Sequence, residues 1–506
     1  MGIYSFSPFG YDGSIVSVEV DLRRGIPATD IVGLADCAVK ESRERMQAAI
    51  RNAGFNYPQE RVLISLSPAD IRKEGAGFDL PLALAVLVAN HDMCKENPTP
   101  VLVMGELELS GNIRRVKGTY GALTTALSYG IEYAIVPKGS EIPIGIKVRE
   151  VENLEQALIA YNNLDNETYF KMKTEEEIRT DFSTTDNLIF DDSIPNMLDG
   201  IKGHGGLKYA MAVAIAGRHN LLTYGAPGCG KTMILQQAPL LMPRLTFEES
   251  LSVSRIWSLA GLHKEDETYT TERPFRIPHQ TASIEGMCGG GPTCRPGEIS
   301  LAHNGILFLD EAAEFRSSVL QMLRVPLETD QITLARGGRS TIFPAKFQLF
   351  MATNPCPCGN YGSKTKICLC STKSIEQYWK KFSAPLLDTV AIRFDAENAE
   401  GVDKDYTLAE LRELIATAWK AQYKRQGMRN QDLTPNDCLE FIKLTDGAQR
   451  VLDKATLKYG LSPREIRNVL KLSRTLTDMH CPDDDTVGAV TMENALRLHG
   501  KLELAF

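Results

Sequence analysis

Gly225-Ala226-Pro227-Gly228-Cys229-Gly230-Lys231-Thr232 is a G-x-x-x-x-G-K-[ST] octapeptide, and its residue types are those needed to hold a phosphate chain. Glycines let backbone N–H groups converge on an anion, and a helix that follows adds the positive end of its dipole. Lys231 has the reach and charge for β- and γ-phosphates, and the Thr232 hydroxyl is a ligand for Mg²⁺. Two apolar runs end in the other groups such chemistry requires. Gly305-Ile306-Leu307-Phe308-Leu309-Asp310-Glu311 closes on two carboxylates, with Asp310 suited to sit by the Mg²⁺ and Glu311 to polarise an attacking water. Phe347 to Asn354 is the second run, and Asn354 is the candidate to orient that water or sense the γ-phosphate. Together these residues read as an ATP-hydrolysing site. The alternative for the octapeptide alone is a glycine turn without nucleotide.

Such groups must be delivered by strands whose C-terminal ends meet. Short apolar runs are the form of strands buried in a parallel sheet, where ligands bind beyond the carboxyl ends. Asn220 to Tyr224 reads as the strand before the loop, and Met233 to Ala238 as the helix after it. Taken in chain order, the phosphate loop, the Asp-Glu strand and the Asn354 strand predict an ATPase of the AAA+ kind, with ATP and Mg²⁺ as cofactors.

The chain has 506 residues and is 43% hydrophobic, enough to bury several cores, and about three domains are expected. A formal net charge of −8 excludes a uniformly basic nucleic-acid binder, so any phosphate-backbone contact must come from local patches. Met1 to Phe6 lacks the charged start of a signal peptide, and the longest apolar run, Leu80 to Ala89, is too short to span a bilayer. With eleven cysteines and no such signal, a reducing cytoplasm and no membrane association are expected.

Residues 1–160 alternate strand-like and helix-like segments, including a strand over Ser14 to Leu22 and helices over Asp36 to Asn52, Pro81 to Asn90 and Thr119 to Tyr129. Ser67 to Pro81 and Gly105 to Gly111 resemble the proteolytic domain of Lon-type proteases, which uses a Ser–Lys pair. The resemblance puts Asp79 at the serine position and Tyr120 at the lysine position, so it implies the fold without peptidase activity. Lys73 and Lys117 lie nearby and read as solvated. Residues 161–190, with Asn162 to Glu167 and Thr174 to Glu177, are polar and acidic and read as a linker.

Residues 191–396 form the ATPase core. Arg276 to Ser283, Gly289 to Gly291, Arg295 to Gly305 and Asn354 to Gly359 resemble magnesium-chelatase-like AAA+ proteins. The Lon-like front half makes the closer resemblance the ComM/YifB competence ATPases. The overall class is therefore α/β and multidomain: a Lon-protease-like α+β domain, an AAA+ P-loop core with a parallel sheet, and a helical lid over 397–506. The resemblance implies an ATP-driven homo-hexamer that encircles branched or single-stranded DNA and moves branch points during natural transformation. A magnesium-chelatase motor subunit and a nucleotide-gated scaffold are the alternatives.

Four further features bear on that reading. Ile332 to Phe343 has two β-prone arms around Gly337-Gly338, a hairpin signal. Arg336, Arg339 and Lys346 are its candidate DNA contacts in a pore, against a solvated hairpin tip, and the glycine-rich 283–291 segment is the other candidate. Cys356, Cys358, Cys368 and Cys370 form C-x-C-x₉-C-x-C, which suits a structural Zn²⁺, against free thiols in a loop; Cys229 reads as a small spacer. After Ser383 to Asp388 the family pattern has an arginine finger, and this chain has Thr389, with Arg393 four residues on. Finally, Gly460 to Arg467 resembles the sensor-2 helix of AAA+ lids, which implies that Arg464 contacts the γ-phosphate; Arg467 and Arg474 read as surface or interface residues.

Overall fold

The structure is a computed structural model that describes residues 2–73, 75–90, 97–173, 181–262, 269–336, 338–362, 366–397 and 404–500. The acidic run Thr174 to Glu177 and Gly337 of the hairpin turn lie outside these residues.

The first domain is built on a seven-stranded mixed sheet in the order Ala28–Val32, Arg61–Ser67, Ser14–Arg23, Ile3–Ser7, Val101–Val103, Tyr133–Pro137, Lys147–Val151. The expected strand over 14–22 and helix over 36–52 are present as Ser14–Arg23 and Cys37–Asn52, the helix capped by Asp36, whose carboxylate accepts the Val39 N–H at 2.8 Å. Helix Asp79–Ala89 is apolar all round because every one of its residues is buried against the sheet and its neighbours.

Asp79 heads that helix as an anchor. Its carboxylate accepts from Arg45 Nε at 2.8 Å, from the Leu107 N–H at 3.2 Å and from Ser42 Oγ. Tyr120 is fully buried and meets Tyr269 edge-on with ring centroids 5.9 Å apart. Burial pushes the Tyr120 phenol well above its ordinary pKa. Neither is the serine or the lysine of the Lon pair, and both side chains are engaged in packing the domain. Lys73, read as solvated, is instead buried with its amine donating to the Pro68 carbonyl.

The segment read as a linker is exposed over much of its described length but anchored at a few positions. Phe170 meets Tyr133 edge-on and Lys171 pairs with Val148, extending the first domain. Phe182 is 4% exposed in a cluster with Tyr120 and Tyr269. Acidic composition hid these aromatic anchors.

In the core, five parallel strands run in the order Phe275–Arg276, Ile306–Leu309, Gln348–Thr353, Leu221–Tyr224, Ile392–Asp395. The three central strands are almost wholly buried, which is why they read as continuous apolar runs. Helices Leu408–Gln426, Pro435–Phe441, Asp446–Tyr459, Pro463–His480 and Ala489–His499 form the C-terminal region, sharing one apolar core with the strands. Among the described residues no helix is long and apolar enough to cross a membrane.

Candidate active site

Strand register brings the chemistry-bearing residues together. Tyr224 lies beside Thr353 and Leu309 beside Met351, so Gly225, Asn354 and the Asp310-Glu311 pair all emerge at the same edge of the sheet. Gly228 and Gly230 have φ of +83° and +79°, a conformation that glycine adopts at little cost, and Gly230 opens the short helix Lys231–Leu235. Lys231 Nζ donates to the carbonyls of Gly225 at 2.7 Å and Ala226 at 2.9 Å, so its ammonium is held inside the loop. Thr232 Oγ1 donates to Asp310 Oδ1 at 2.9 Å. These two oxygens converge on one spot, as a shared Mg²⁺ requires, and the loop fits a phosphate chain.

Glu311 has φ of +48°, costly for a residue with a Cβ, on the order of 1–3 kcal/mol. Its N–H donates to Asp310 Oδ1 at 3.0 Å, and its exposed side chain lines a cleft of about 460 Å³ with Gln280, Thr281, Glu314, Asn354 and Tyr378. Tyr378 is held by Thr353 Oγ1 at 2.9 Å. Gln280, Thr281 and Glu314 carry no motif signal beyond the string in which the first two stand, and only the fold places them here.

Other expected residues lie elsewhere. Arg464 pairs with Glu328 at 3.0 Å in a second cleft of about 650 Å³ that also includes Asn220, Asp388 and Thr389. Asn220 is at the opposite end of the Leu221–Tyr224 strand from the phosphate loop, about 16 Å from Gly225 at roughly 3.3 Å per residue. The structure therefore does not bring Arg464 to the loop of its own chain. Arg393 is 6% exposed, pairs with Glu465 at 3.4 Å and donates to the Leu387 carbonyl at 2.9 Å; a side chain so engaged cannot reach a neighbour as a finger. The Thr389 hydroxyl donates to the Leu386 carbonyl at 2.7 Å. Arg474, assigned to the surface from sequence, is buried against Asp478 at 2.8 Å.

The hairpin forms as Gln331–Arg336 paired with Arg339–Pro344, but only Arg336 of its three candidate cations is exposed. The Arg339 guanidinium lies 3.7 Å from the centroid of Phe9 and reaches Ser14 at 3.4 Å. Tyr11 of the same N-terminal loop meets Phe343 edge-on and donates its N–H to Thr341 Oγ1 at 2.9 Å. Lys346 donates to Asp432 Oδ2 at 2.9 Å, within an ion network with Arg218. The 283–291 segment is ordered too: Ile284–Cys288 is helical and Gly289–Gly290 pairs with Arg295–Pro296.

Cys356, Cys358, Cys368 and Cys370 have their four sulfurs within 4.8 Å of one another, with separations of 3.4, 3.7 and 3.6 Å among the first three. A tetrahedron with 2.3 Å Zn–S bonds has edges of about 3.8 Å, so the cluster could hold Zn²⁺. The Asn360 N–H, with help from the neighbouring thiols, pulls the Cys358 pKa down to about 6, while burial pushes the Cys368 thiol up.

Sequence comparisons cover most of the chain. Sequence profiles described as "Magnesium chelatase, subunit ChlI", "Subunit ChlI of Mg-chelatase" and "Magnesium chelatase, subunit ChlI C-terminal" match residues 197–403, 18–140 and 406–499. The chain is 34% identical to "Competence protein ComM" of Haemophilus influenzae, over 94% of this chain and 93% of that one. It is 34% identical to the "Uncharacterized protein YifB" of Escherichia coli, over 95% and 94%. A shorter likeness, 23% identical over 54% of this chain and 27% of the other, is to "DNA replication licensing factor MCM2" of Arabidopsis thaliana.

Proposed function

As a member of the magnesium-chelatase-like AAA+ family that includes ComM and YifB, this chain is an ATPase using Mg²⁺, and we propose that it works as a homo-hexameric DNA motor, moving branch points in recombination or natural transformation. When bound, ATP supplies the bond to be broken and Mg²⁺ neutralises its phosphates. In this chain the loop N–H groups and Lys231 would hold the β/γ-phosphates, Thr232 and Asp310 would hold Mg²⁺, and Glu311 would take a proton from water that Asn354 orients.

One observation supports a ring above others. No arginine is among the described residues lining the Glu311 cleft, while Arg464 stands at the far edge of the sheet beside Thr389. A site that needs a cation over the γ-phosphate is then completed by the next subunit, whose Arg464 edge faces this loop when copies close head to tail. The chain-long likeness to a competence protein and the shorter likeness to a replication factor favour DNA as the track. Thr389 in the finger position motivates the second reading, a nucleotide-gated scaffold with slow hydrolysis. A chelatase-type motor, sharing the same core, is the third.

ATP turnover by the full chain, with and without branched or single-stranded DNA, separates them. The motor reading expects stimulation by DNA. It also expects Lys231→Ala to abolish nucleotide binding and Glu311→Gln to retain binding while stopping turnover. ATP binding without DNA-stimulated turnover would favour the scaffold, and turnover indifferent to DNA would refute the DNA track.

A further inference from the structure

Gly359 joins the cysteine cluster to the nucleotide site. It has φ of +78°, and its N–H donates to the Cys356 carbonyl at 2.9 Å, closing the turn that carries Cys356 and Cys358. A Cβ built on Gly359 would lie 2.6 Å from both Cδ and Cγ of Pro227 and 3.9 Å from Cγ of Asn354. The turn is therefore seated against the third residue of the phosphate loop with no room for a methyl group. Connectivity adds a second link, because Asn354, Pro355 and Cys356 are consecutive. The Pro355 carbonyl accepts from Trp379 Nε1 at 3.0 Å, which anchors the root of the turn and leaves its far side to the cysteines.

Cys356 is buried, and Tyr361, Cys368 and Cys370 rest against the apolar core of this domain, but the side chains on either side of Cys368 do not. Ile367 and Leu369, which flank Cys368, are 84% and 89% exposed. Side chains that face water add no burial energy at those positions, and four thiolates around one ion would supply bonds that fix the loop there. Four sulfurs in tetrahedral array select Zn²⁺ among common divalent ions.

We propose that the metal held by Cys356, Cys358, Cys368 and Cys370 controls nucleotide binding: a loaded cluster sets the Cys356–Gly359 turn, and that turn buttresses Pro227 and Asn354 in the shape that accepts ATP. The proposal rests on the readings of the loop as an ATP site and of the cluster as a zinc site. Loss of the ion frees the turn, the phosphate loop loses its support, and affinity for nucleotide falls although every ATP-contacting residue remains. Zinc depletion or thiol oxidation would then idle the ATPase from outside its catalytic groups.

The test measures zinc content and the affinity of a fluorescent ATP analogue, in excess Mg²⁺, for the full chain. Wild-type protein is expected to carry about one zinc per chain, as a tetrahedral structural site does. Removing zinc with a high-affinity chelator should weaken binding by about tenfold or more, equivalent to about 1.4 kcal/mol, and stoichiometric zinc should restore it. Cys358→Ser/Cys370→Ser should lose both zinc and affinity. Gly359→Ala separates the link from the metal: it should keep its zinc and still lose affinity, because the new methyl displaces Pro227. Unchanged thermal unfolding of Gly359→Ala would show that the loss is local. Zinc-free wild type that binds the analogue as tightly as the loaded protein would overturn the proposal, as would Gly359→Ala with both zinc and affinity intact. Absence of zinc from freshly purified protein would refute the zinc site, and zinc-loaded wild type without affinity would refute the ATP site.

Discussion

Glu249→Gln should loosen the union of ATPase core and lid. Glu249 is the third residue of helix Phe247–Ala260, where its carboxylate accepts the Thr246 N–H at 3.0 Å in a capping box. The same carboxylate faces Arg273 Nη1 at 3.1 Å, just before the Phe275–Arg276 strand, and Arg429 Nη2 of the lid at 3.7 Å. Both guanidiniums stack on buried Trp419, with Arg429 4.0 Å from the ring centroid. Burial alone would raise the Glu249 pKa, but Arg273 and Arg429 outweigh it and pull it from 4.5 down to about 2. That depression corresponds to about 3 kcal/mol at about 1.4 kcal/mol per tenfold change in proton affinity, close to the 3–5 kcal/mol roughly expected for breaking a buried pair. Because the folded-state value lies below the unfolded one, this stabilisation is fully present above about pH 4.5 and is lost as pH falls toward about 2. Thermal unfolding followed by tryptophan fluorescence should put the variant about 5–10 °C below wild type at pH 7. The gap should narrow as pH is lowered to 3, since acid then neutralises the wild-type carboxylate as well. Equal melting temperatures at pH 7, or a gap that does not narrow in acid, would refute this account of the clamp.

The hairpin and the first domain give further expectations. Arg336→Ala should weaken DNA binding across sequences and lower the slope of log affinity against log salt by about one, as removal of one phosphate contact does; an unchanged slope would put the hairpin outside the DNA path. Arg339→Ala should act through docking of the hairpin on Phe9, a contact worth on the order of 0.5–1 kcal/mol, and proteolysis of the hairpin would report it. Asp79→Ala should leave Arg45 without its buried partner and destabilise the first domain by about 3–5 kcal/mol. Neither it nor wild type should cleave an unfolded protein substrate. Cleavage by pure wild-type protein would overturn the reading of Asp79 as an anchor.

What could be read ahead of the fold was what neighbours in the chain determine together. The phosphate loop is eight consecutive residues whose glycines, lysine and threonine serve one purpose. The runs ending at Asp310-Glu311 and Asn354 announce buried parallel strands by apolar continuity alone. Lys346 shows where such reading stops: it stands two residues past the hairpin and looks like a pore cation, yet its partner Asp432 is 86 residues away. Arg339 meets Ser14 across 325 residues, so its charge was legible and its engagement was not. Phe182 was hidden because an acidic, aperiodic segment gives no sign that one aromatic ring will find a cluster on another domain. Glu311 carries a positive φ that its residue type argues against, and only the strand end imposes it. Arg464 is the most consequential case. Serine cap, proline and arginine spacing predict the start of its helix, but the end of the sheet it reaches depends on how the lid helices pack into the core they share with the strands. That packing carries Arg464 to the far edge, away from the phosphate loop of its own chain; in the proposed ring it would serve the neighbour's site instead.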